Sequence, residues 1–445
     1  MYGQPGPSVV IAGGGVAAAA LACLLRNDGF GVVLLTRRRR SRVAQAPVIE
    51  ALPEATVRLL AEVGLDGALV AAGAVAVRGF DNTYGPGGAR TLDGVWTHVD
   101  RLQLARECLL VARRRGAAVL PVSTIGPLVD LPGSGIRVRV GERDLRAVAA
   151  VDATGRAARW SRPVARSGSE GATMFTGPGC TRARPGRVVR VRDGWAYRLE
   201  HPHASTVGVV RRPGAGVTAL DDVLAGGLDV DDPERFVRVG IRPAAVQWSC
   251  RPVGPGRIAV GDAALALSPL AGQGLRFAVS SALAAAAVLR TWNGGVWKGG
   301  VWNGGTWSDG ARALALDYYR CFVEGVRLRH LATLAAIAGA QASGSAAPDD
   351  LHGNLLDPGR RLRWAARVER VGVNRGGRIV AGECCVLPDG GLVRWVGGVD
   401  LLCLRDAVAD GRTPAQMCAA LARLGIADAS AHVLIAWALR VGALG

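Results

Sequence analysis

Residues 8–36, "SVVIAGGGVAAAALACLLRNDGFGVVLLT", restrict the fold more than any other stretch of the chain. A short apolar run (8–12) ends at three glycines. An alanine-rich segment follows to about Arg26, and a second apolar run occupies 30–36. Strand, glycine turn, helix and strand within about thirty residues make a βαβ unit. Gly13, Gly15 and Ala18 fit G-x-G-x-x-A, with Ala17 in the same first helical turn. The spacing provides a tight turn, a backbone that can approach a pyrophosphate, and a small residue where helix meets strand. At the end of the second strand, where an acid commonly binds an adenosine ribose, stands Thr36, followed by Arg37. A hydroxyl can still bond a ribose, and the run Arg37–Arg40 reads first as a solvated loop.

Two later segments sharpen this. "VDATG" (151–155) ends a strand with Asp152 and turns at Gly155. "VGDAALALSPLAGQGLRFA" (260–278) places Asp262 at a strand end, and Pro269, Gly272, Gln273 and Gly274 in a loop feeding an alanine-rich helix. A carboxylate there can accept hydrogen bonds from a ribityl chain. A helix N-terminus can stabilise negative charge on a reduced flavin by about 0.3–1 kcal/mol, more when buried. Three such motifs in this order point to FAD.

Composition narrows the remaining classes. A chain of 445 residues holds two or three structural units, and 49% apolar residues support a large core. The closest approach to a membrane span or signal core, residues 9–25, carries three glycines and has no basic residue before it. It reads as buried strand, turn and helix, so the expected location is cytoplasmic, without stable membrane insertion. The nine cysteines form no CxxC and the six histidines are dispersed, with His201 and His203 the one close pair, so no metal site is expected. The formal charge of +18 rests on arginine, since Lys298 is the single lysine. A basic surface suits an anionic cofactor or an acidic peptide. Without zinc-finger spacing, an RNP motif or an aromatic-interleaved basic stripe, nucleic acid ranks last.

The pattern along the chain gives the expected domains. Residues 1–160 form the first part of the cofactor domain. Alternating stretches in 161–250, such as "GRVVRVRDGWAYRLE" and "STVGVVRR", predict an antiparallel substrate-binding sheet. The strand–turn–helix style returns in 251–290 to complete the cofactor domain. A tryptophan–glycine insertion occupies 291–310, a helical segment 311–345, and a small C-terminal domain 355–445. The fold class expected is α/β, a Rossmann-like FAD-binding domain of the glutathione-reductase type with an antiparallel substrate sheet and a small α+β tail.

The segments "GGGVAAAALA", "VDRLQLA", "DATG" and "GDAALALSPLAGQG" together resemble the FAD-dependent aromatic hydroxylase-like monooxygenases, in the branch that holds the tryptophan halogenases. The resemblance covers about 8–290. "VIEALPEATVRLLAEVGL" (48–65) is similar to the family's Gly-Glu-Ser-Leu-Pro-Pro segment and following helix, matching at Glu50, Leu52 and Pro53. It implies Arg101 near the FAD, Asp152 and Gly155 near its pyrophosphate, and Asp262 on the ribityl chain. Flavin-hydroperoxide chemistry belongs to the cofactor, so no catalytic side chain is assigned. NAD(P)H, directly or through a reductase, would supply the electrons.

Halogenases of this branch need a lysine beyond the flavin, where residues 66–100 hold none, and arginine is no nucleophilic amine. Their W-x-W-x-I-P segment is reduced to "WAYRLEHP" (195–202). Hydroxylation of an aromatic group is therefore favoured over halogenation, with Trp195 and Tyr197 as cavity-lining or core aromatics. The tail, read as strand, strand and helices with "DGRT" capping one of them, resembles the winged-helix domains that hold leader peptides at a sheet edge. The branch also includes maturases that hydroxylate a peptidyl tryptophan in quinone cofactor biogenesis. An aromatic or peptidyl substrate, with an acidic peptide on the tail, is the expected partner. A saturase of isoprenoid-like chains and a non-catalytic flavin fold are the alternatives.

"TWNGGVWKGGVWNGGTWSDG" (291–310) repeats a five-residue unit with tryptophan at its second position. Such units resemble rungs of pentapeptide β-solenoids, and one coil cannot bury its own face. The repeat is expected to be a surface insertion between two helices.

Overall fold

The computed structural model describes residues 8–38, 46–84, 90–131, 135–191, 193–211, 220–224, 227–292, 296–298, 301–303, 309–343, 361–387, 391–396, 399–408 and 411–445. The chain divides into two compact units, Met1–Thr306 and Trp307–Gly445.

The first unit carries a six-stranded sheet whose middle is parallel. Ser8–Ala12 lies between Gly31–Arg37 and Ala149–Asp152, and Arg257–Ala259 pairs with the far side of the latter. Ala118–Val122 closes the other edge. These strands are short apolar runs because parallel strands are covered on both faces. Helix Val16–Asn27 buries Val16 through Leu25, which is why an alanine-rich sequence suits it. Gly274–Trp292 packs beside it, with the same Ala-rich composition. Gly274–Trp292 is also the one helix among the described residues long and apolar enough to cross a membrane. It is 67% buried within the protein, as a core helix would be.

The second sheet of this unit has eight strands. The expected strands Gly171–Gly177, Gly186–Val191, Gly194–His201 and Ala204–Arg211 pair antiparallel in part of it, with Val237–Pro243 at one edge. The sheet also takes Ile49–Pro53, Val75–Asn82 and Arg90–Asp100 from the first part of the chain. It therefore begins well before the composition shift at 161, because 49–100 lacks the strict alternation that marks half-buried strands. The stretch 143–152 forms two strands. Arg143–Ala147 belongs to a small antiparallel sheet and Ala149–Asp152 to the parallel one, broken at Val148.

His98, on strand Arg90–Asp100, is fully buried. Its Nδ1 lies 2.7 Å from the Glu200 carbonyl, and Nε2 has no partner among the described residues. The ring is thus neutral, Nδ1–H donating to the carbonyl, and burial holds its pKa below the ordinary 6.5. An unfolded chain takes up this proton first, so the stability that depends on neutral His98 is present above about pH 6.5 and lost as pH falls further. Thermal unfolding across pH should show a loss approaching about 1.4 kcal/mol per pH unit below 6.5. His98→Asn, whose amide can still donate, should flatten that slope; an unchanged slope would assign it elsewhere.

The tryptophan repeat departs from expectation. Trp292 is the last residue of helix Gly274–Trp292 and is only 4% exposed, so the first of the four tryptophans is a core residue. Val296–Lys298 and Val301–Asn303 form a two-stranded antiparallel hairpin with Trp297 opposite Trp302, not a solenoid rung. Trp307 lies outside the described residues.

The second unit begins with the long helix Asp309–Ser343. A three-stranded sheet follows, Arg367–Arg375, Arg378–Val386 and Leu392–Val393, then a hairpin of Trp395–Val396 and Val399–Asp400. Helices Leu401–Val408, Pro414–Ala422 and Asp428–Arg440 share one core around Leu401, Leu404, Met417, Leu421 and Ile435. Thr413 caps the middle helix in a reciprocal capping box with Gln416, as "DGRT" predicts.

Candidate active site

The three glycine-bearing turns meet at the carboxyl ends of adjacent parallel strands, where open α/β sheets bind ligands. Gly13 N–H donates to the Leu35 carbonyl (2.9 Å), Ala153 N–H to that of Ala12 (2.8 Å), and Val260 N–H to that of Asp152 (2.8 Å). Gly13 has φ +144°, and a Cβ there would stand 2.1 Å from the Ala153 carbonyl oxygen. A Cβ on Gly261 would lie 2.9 Å from the Ala17 methyl. Close packing therefore explains both glycines, and Ala17 and Ala18, 8% and 0% exposed, are packing positions as well.

Gly15, Gly155, Gly272 and Gly274 are different. A Cβ on any of them would meet no atom within 4 Å, so all four border open space. Gly15 sits at the N-cap of helix Val16–Asn27 and offers no side-chain cap, leaving first-turn N–H groups to be met from that space. Thr36 stands beside this turn, its Cγ2 3.4 Å from a Cβ on Gly14, and Arg37 is exposed. Pro269, Gly272 and Gln273 are exposed on the third turn, with the Ser268 hydroxyl accepting from Leu270 N–H. Gln273 contributes its carbonyl to Phe277 N–H (2.9 Å), opening helix Gly274–Trp292.

Asp152, which the resemblance implies lies near the pyrophosphate, stands at the end of strand Ala149–Asp152. Its side chain is buried, 1% exposed, and accepts four hydrogen bonds within its own turn: Thr154 N and Oγ1 (3.0 and 2.6 Å), Trp160 N (2.6 Å) and Ser161 Oγ (2.7 Å). The carboxylate builds the turn and offers nothing free to a ligand. Gly155 is the residue of this motif that faces the open side.

A charged group gathers beside these turns. Arg101 opens helix Arg101–Arg114, capped by Asp100, and its N–H donates to the Val48 carbonyl (3.0 Å). Its guanidinium bonds Glu50 Oε1 at 2.9 Å and lies 4.0 Å from Asp262 Oδ2. Arg101 remains 46% exposed, Asp262 28% and Glu50 26%, so the group lines accessible space with carboxylate oxygens to spare. The charge of Glu50, then that of Asp262, raises the pKa of Arg101. Arg156 is fixed by the Ala245 and Leu267 carbonyls at 2.7 and 3.2 Å; burial lowers its pKa and Asp262 opposes the shift.

An aromatic wall lies on one face of the eight-stranded sheet. Trp195 is 6.2 Å from Tyr84 and 5.7 Å from Tyr197 between ring centroids. Both belong to an apolar group with Met174 and Val188, against which Leu270 of the third turn packs. Trp195 is 6% exposed, a core position, whereas Tyr197 is half-buried with its hydroxyl donating to Met174 Sδ (3.6 Å). Burial first, then the charge of Glu50, raises the Tyr197 pKa, so the phenol stays protonated. Glu50 and Arg156 were not expected in this group. Arg156 follows Gly155 directly and could have been found from the turn. Nothing in the sequence links Glu50 to Arg101, fifty-one positions away.

No protein-family model and no curated protein sequence matches the chain. Solved structures do. The peptidyl tryptophan dihydroxylase QhpG, essential for tryptophylquinone cofactor biogenesis, is 24% identical over 98% of this chain and 99% of its own, with a TM-score of 0.67. The flavin-dependent halogenase CmlS is 17% identical over 98% and 95%, also at 0.67. The myxobacterial chondrochloren halogenase CndH is 21% identical over 74% and 82%, at 0.60. The chain has the mixed α/β fold of the flavin-dependent hydroxylases and halogenases.

Proposed function

We propose that this protein is an FAD-dependent monooxygenase that hydroxylates an aromatic ring, a tryptophan side chain presented in a peptide or protein. The observation that carries the reading is the open space beside Gly15, Gly155, Gly272 and Gly274 on three adjoining turns, one of which brings Asp262 to a carboxylate-flanked arginine and packs Leu270 against an aromatic group. Likeness to QhpG over nearly the whole of both chains supports the peptidyl substrate.

The residues divide the work by chemistry. First-turn N–H groups of Val16–Asn27 would hold the pyrophosphate and the Thr36 hydroxyl the adenosine ribose. Glu50 and Asp262 would accept ribityl hydroxyls, and the N-terminus of Gly274–Trp292 would favour negative charge on the pyrimidine ring. Reduced FAD supplies the activation of O₂, and NAD(P)H, directly or through a reductase, supplies the electrons. Tyr197, backed by the buried Trp195, would exclude water and present an apolar face to the ring being oxidised.

The second unit would hold the peptide. Strand Arg367–Arg375 is the edge of its sheet, paired among the described residues with Arg378–Val386 alone, and exposes Arg367, Arg370 and Arg375. An acidic strand added there would gain main-chain hydrogen bonds and charge complementarity. Arg370→Glu with Arg375→Glu should weaken such a peptide about tenfold or more and leave FAD binding unchanged.

The deciding experiment combines FAD-loaded protein, a reductant, O₂, chloride or bromide, and tryptophan-containing acidic peptides, read by mass spectrometry. One or two added oxygens are expected. Halogen on the peptide would install a halogenase instead, the reading that likeness to CmlS favours. A gain of two hydrogens would indicate a saturase, and no flavin absorbance after FAD addition would sink the proposal altogether.

A further inference from the structure

Within the second unit, three side chains of different chemistry converge on one point between two helices. Asp428 and His432 sit one turn apart on Asp428–Arg440, and Cys418 comes from Pro414–Ala422. The Cys418 thiol is 3.7 and 3.8 Å from the two ring nitrogens of His432, and Asp428 Oδ2 is 3.4 Å from Nδ1. One donor atom from each residue lies within 4.8 Å of the others. We propose that Cys418, Asp428 and His432 form a zinc(II) site that clamps these two helices.

The three donor atoms lie within 4.8 Å of one another, and the thiol is 3.8 Å from His432 Nε2, so shifts of about an ångström in the exposed side chains would bring them to tetrahedral spacing. Zinc bonds of about 2.3 Å to sulfur and about 2.0–2.1 Å to nitrogen or oxygen place tetrahedral ligands about 3.3–3.6 Å apart. The His432 ring is already oriented. Nδ1–H donates to the Asp428 carbonyl (3.0 Å), which leaves the lone pair of Nε2 for the metal. Metal-bound histidines are commonly set this way by a hydrogen bond on the other nitrogen. Burial is graded to match, since Cys418 is buried while His432 and Asp428 are 49% and 75% exposed. The ion would enter from solvent, displace the thiol proton to water, and keep a water molecule as its fourth ligand. Neither helix carries C-x-x-C or H-x-x-x-H spacing. The ten residues between Cys418 and Asp428 hide the site from sequence reading.

The test uses the full-length protein expressed with zinc and desalted, with zinc measured per chain by atomic emission. One equivalent is expected, together with a thiolate-to-metal charge-transfer band on titration with cobalt(II). Saturating zinc should raise the melting temperature by about 5–10 °C at a hundredfold excess over Kd. Cys418→Ser should abolish the band. His432→Ala, at an exposed position where the fold is preserved, should lower zinc affinity at least about tenfold. No zinc and no band on the wild-type protein would overturn the site. So would His432→Ala binding as wild type, since that would show that His432 does not hold the metal.

Discussion

Gly15→Ala should raise the Kd for FAD about 100-fold, close to 2.7 kcal/mol, while leaving the thermal unfolding curve nearly in place. Gly15 has φ −91° and ψ 179°, a conformation any residue adopts, and a Cβ there meets no protein atom within 4 Å. The folded chain therefore tolerates the methyl. What the methyl occupies is the space just beyond the helix N-terminus, where the proposed pyrophosphate would come closest to the backbone. Gly13→Ala gives the opposite result. At φ +144° and 2.1 Å from the Ala153 carbonyl, the new Cβ forces apart the turns that join three strands. A loss of about 3 kcal/mol or more, with failure to accumulate folded protein, is expected. Flavin fluorescence quenching and thermal melts on the two variants separate a cofactor contact from a packing contact. Wild-type FAD affinity in Gly15→Ala would remove this turn from the proposed site.

The contrast between these two glycines shows what sequence could and could not convey. The spacing G-x-G-x-x-A identified the turn, the helix and the small residues Ala17 and Ala18, because those follow from local periodicity and sterics. Which glycine faces neighbouring backbone and which faces open space depends on where 153 and 261 come to rest, and no local pattern carries that. Asp152 is the same lesson in polar form. Its place at a strand end was legible, but its four hydrogen-bond donors come from Thr154, Trp160 and Ser161, so the acid faces inward. Glu50 reaches Arg101 across two strands of the eight-stranded sheet, a pairing set by register. Long-range register also brought 49–100 into that sheet, although its strands mix exposed apolar residues such as Leu92 and Val95 with polar ones.

Arg198→Met should cost about 3–5 kcal/mol, a large share of the stability of a unit this size. Arg198 and Glu200 alternate with Trp195 and Tyr197 along strand Gly194–His201, so they project from the face away from the aromatic wall. Both are almost completely buried, at 3% and 4% of side-chain area. Arg198 Nε is 3.3 Å from Glu200 Oε1, and its Nη1 is 2.8 Å from Asp229 Oδ1 and donates to the Asp229 carbonyl at 2.7 Å. Glu200 in turn accepts from the Arg184 backbone N–H and Nε, each at 2.9 Å. Burial alone would raise the Glu200 pKa, but hydrogen bonds from Arg184 and the charge of Arg198 outweigh it and hold the carboxyl below its ordinary value. Glu200 thus remains ionised in the folded chain, and its contribution is lost as pH falls through that depressed pKa. Removing Arg198 leaves Glu200 with Arg184 alone and strands the Asp229 and Pro185 carbonyls that Arg198 had bonded. Pairing Arg198→Met with Glu200→Leu should cost less than the two single changes added together, because the second change removes the charge that the first left poorly matched. Urea midpoints for the two singles and the double measure this coupling. A drop below 1 kcal/mol for Arg198→Met would mean that Arg184 already satisfies the buried carboxylate and that the network holds the sheet in register without stabilising it.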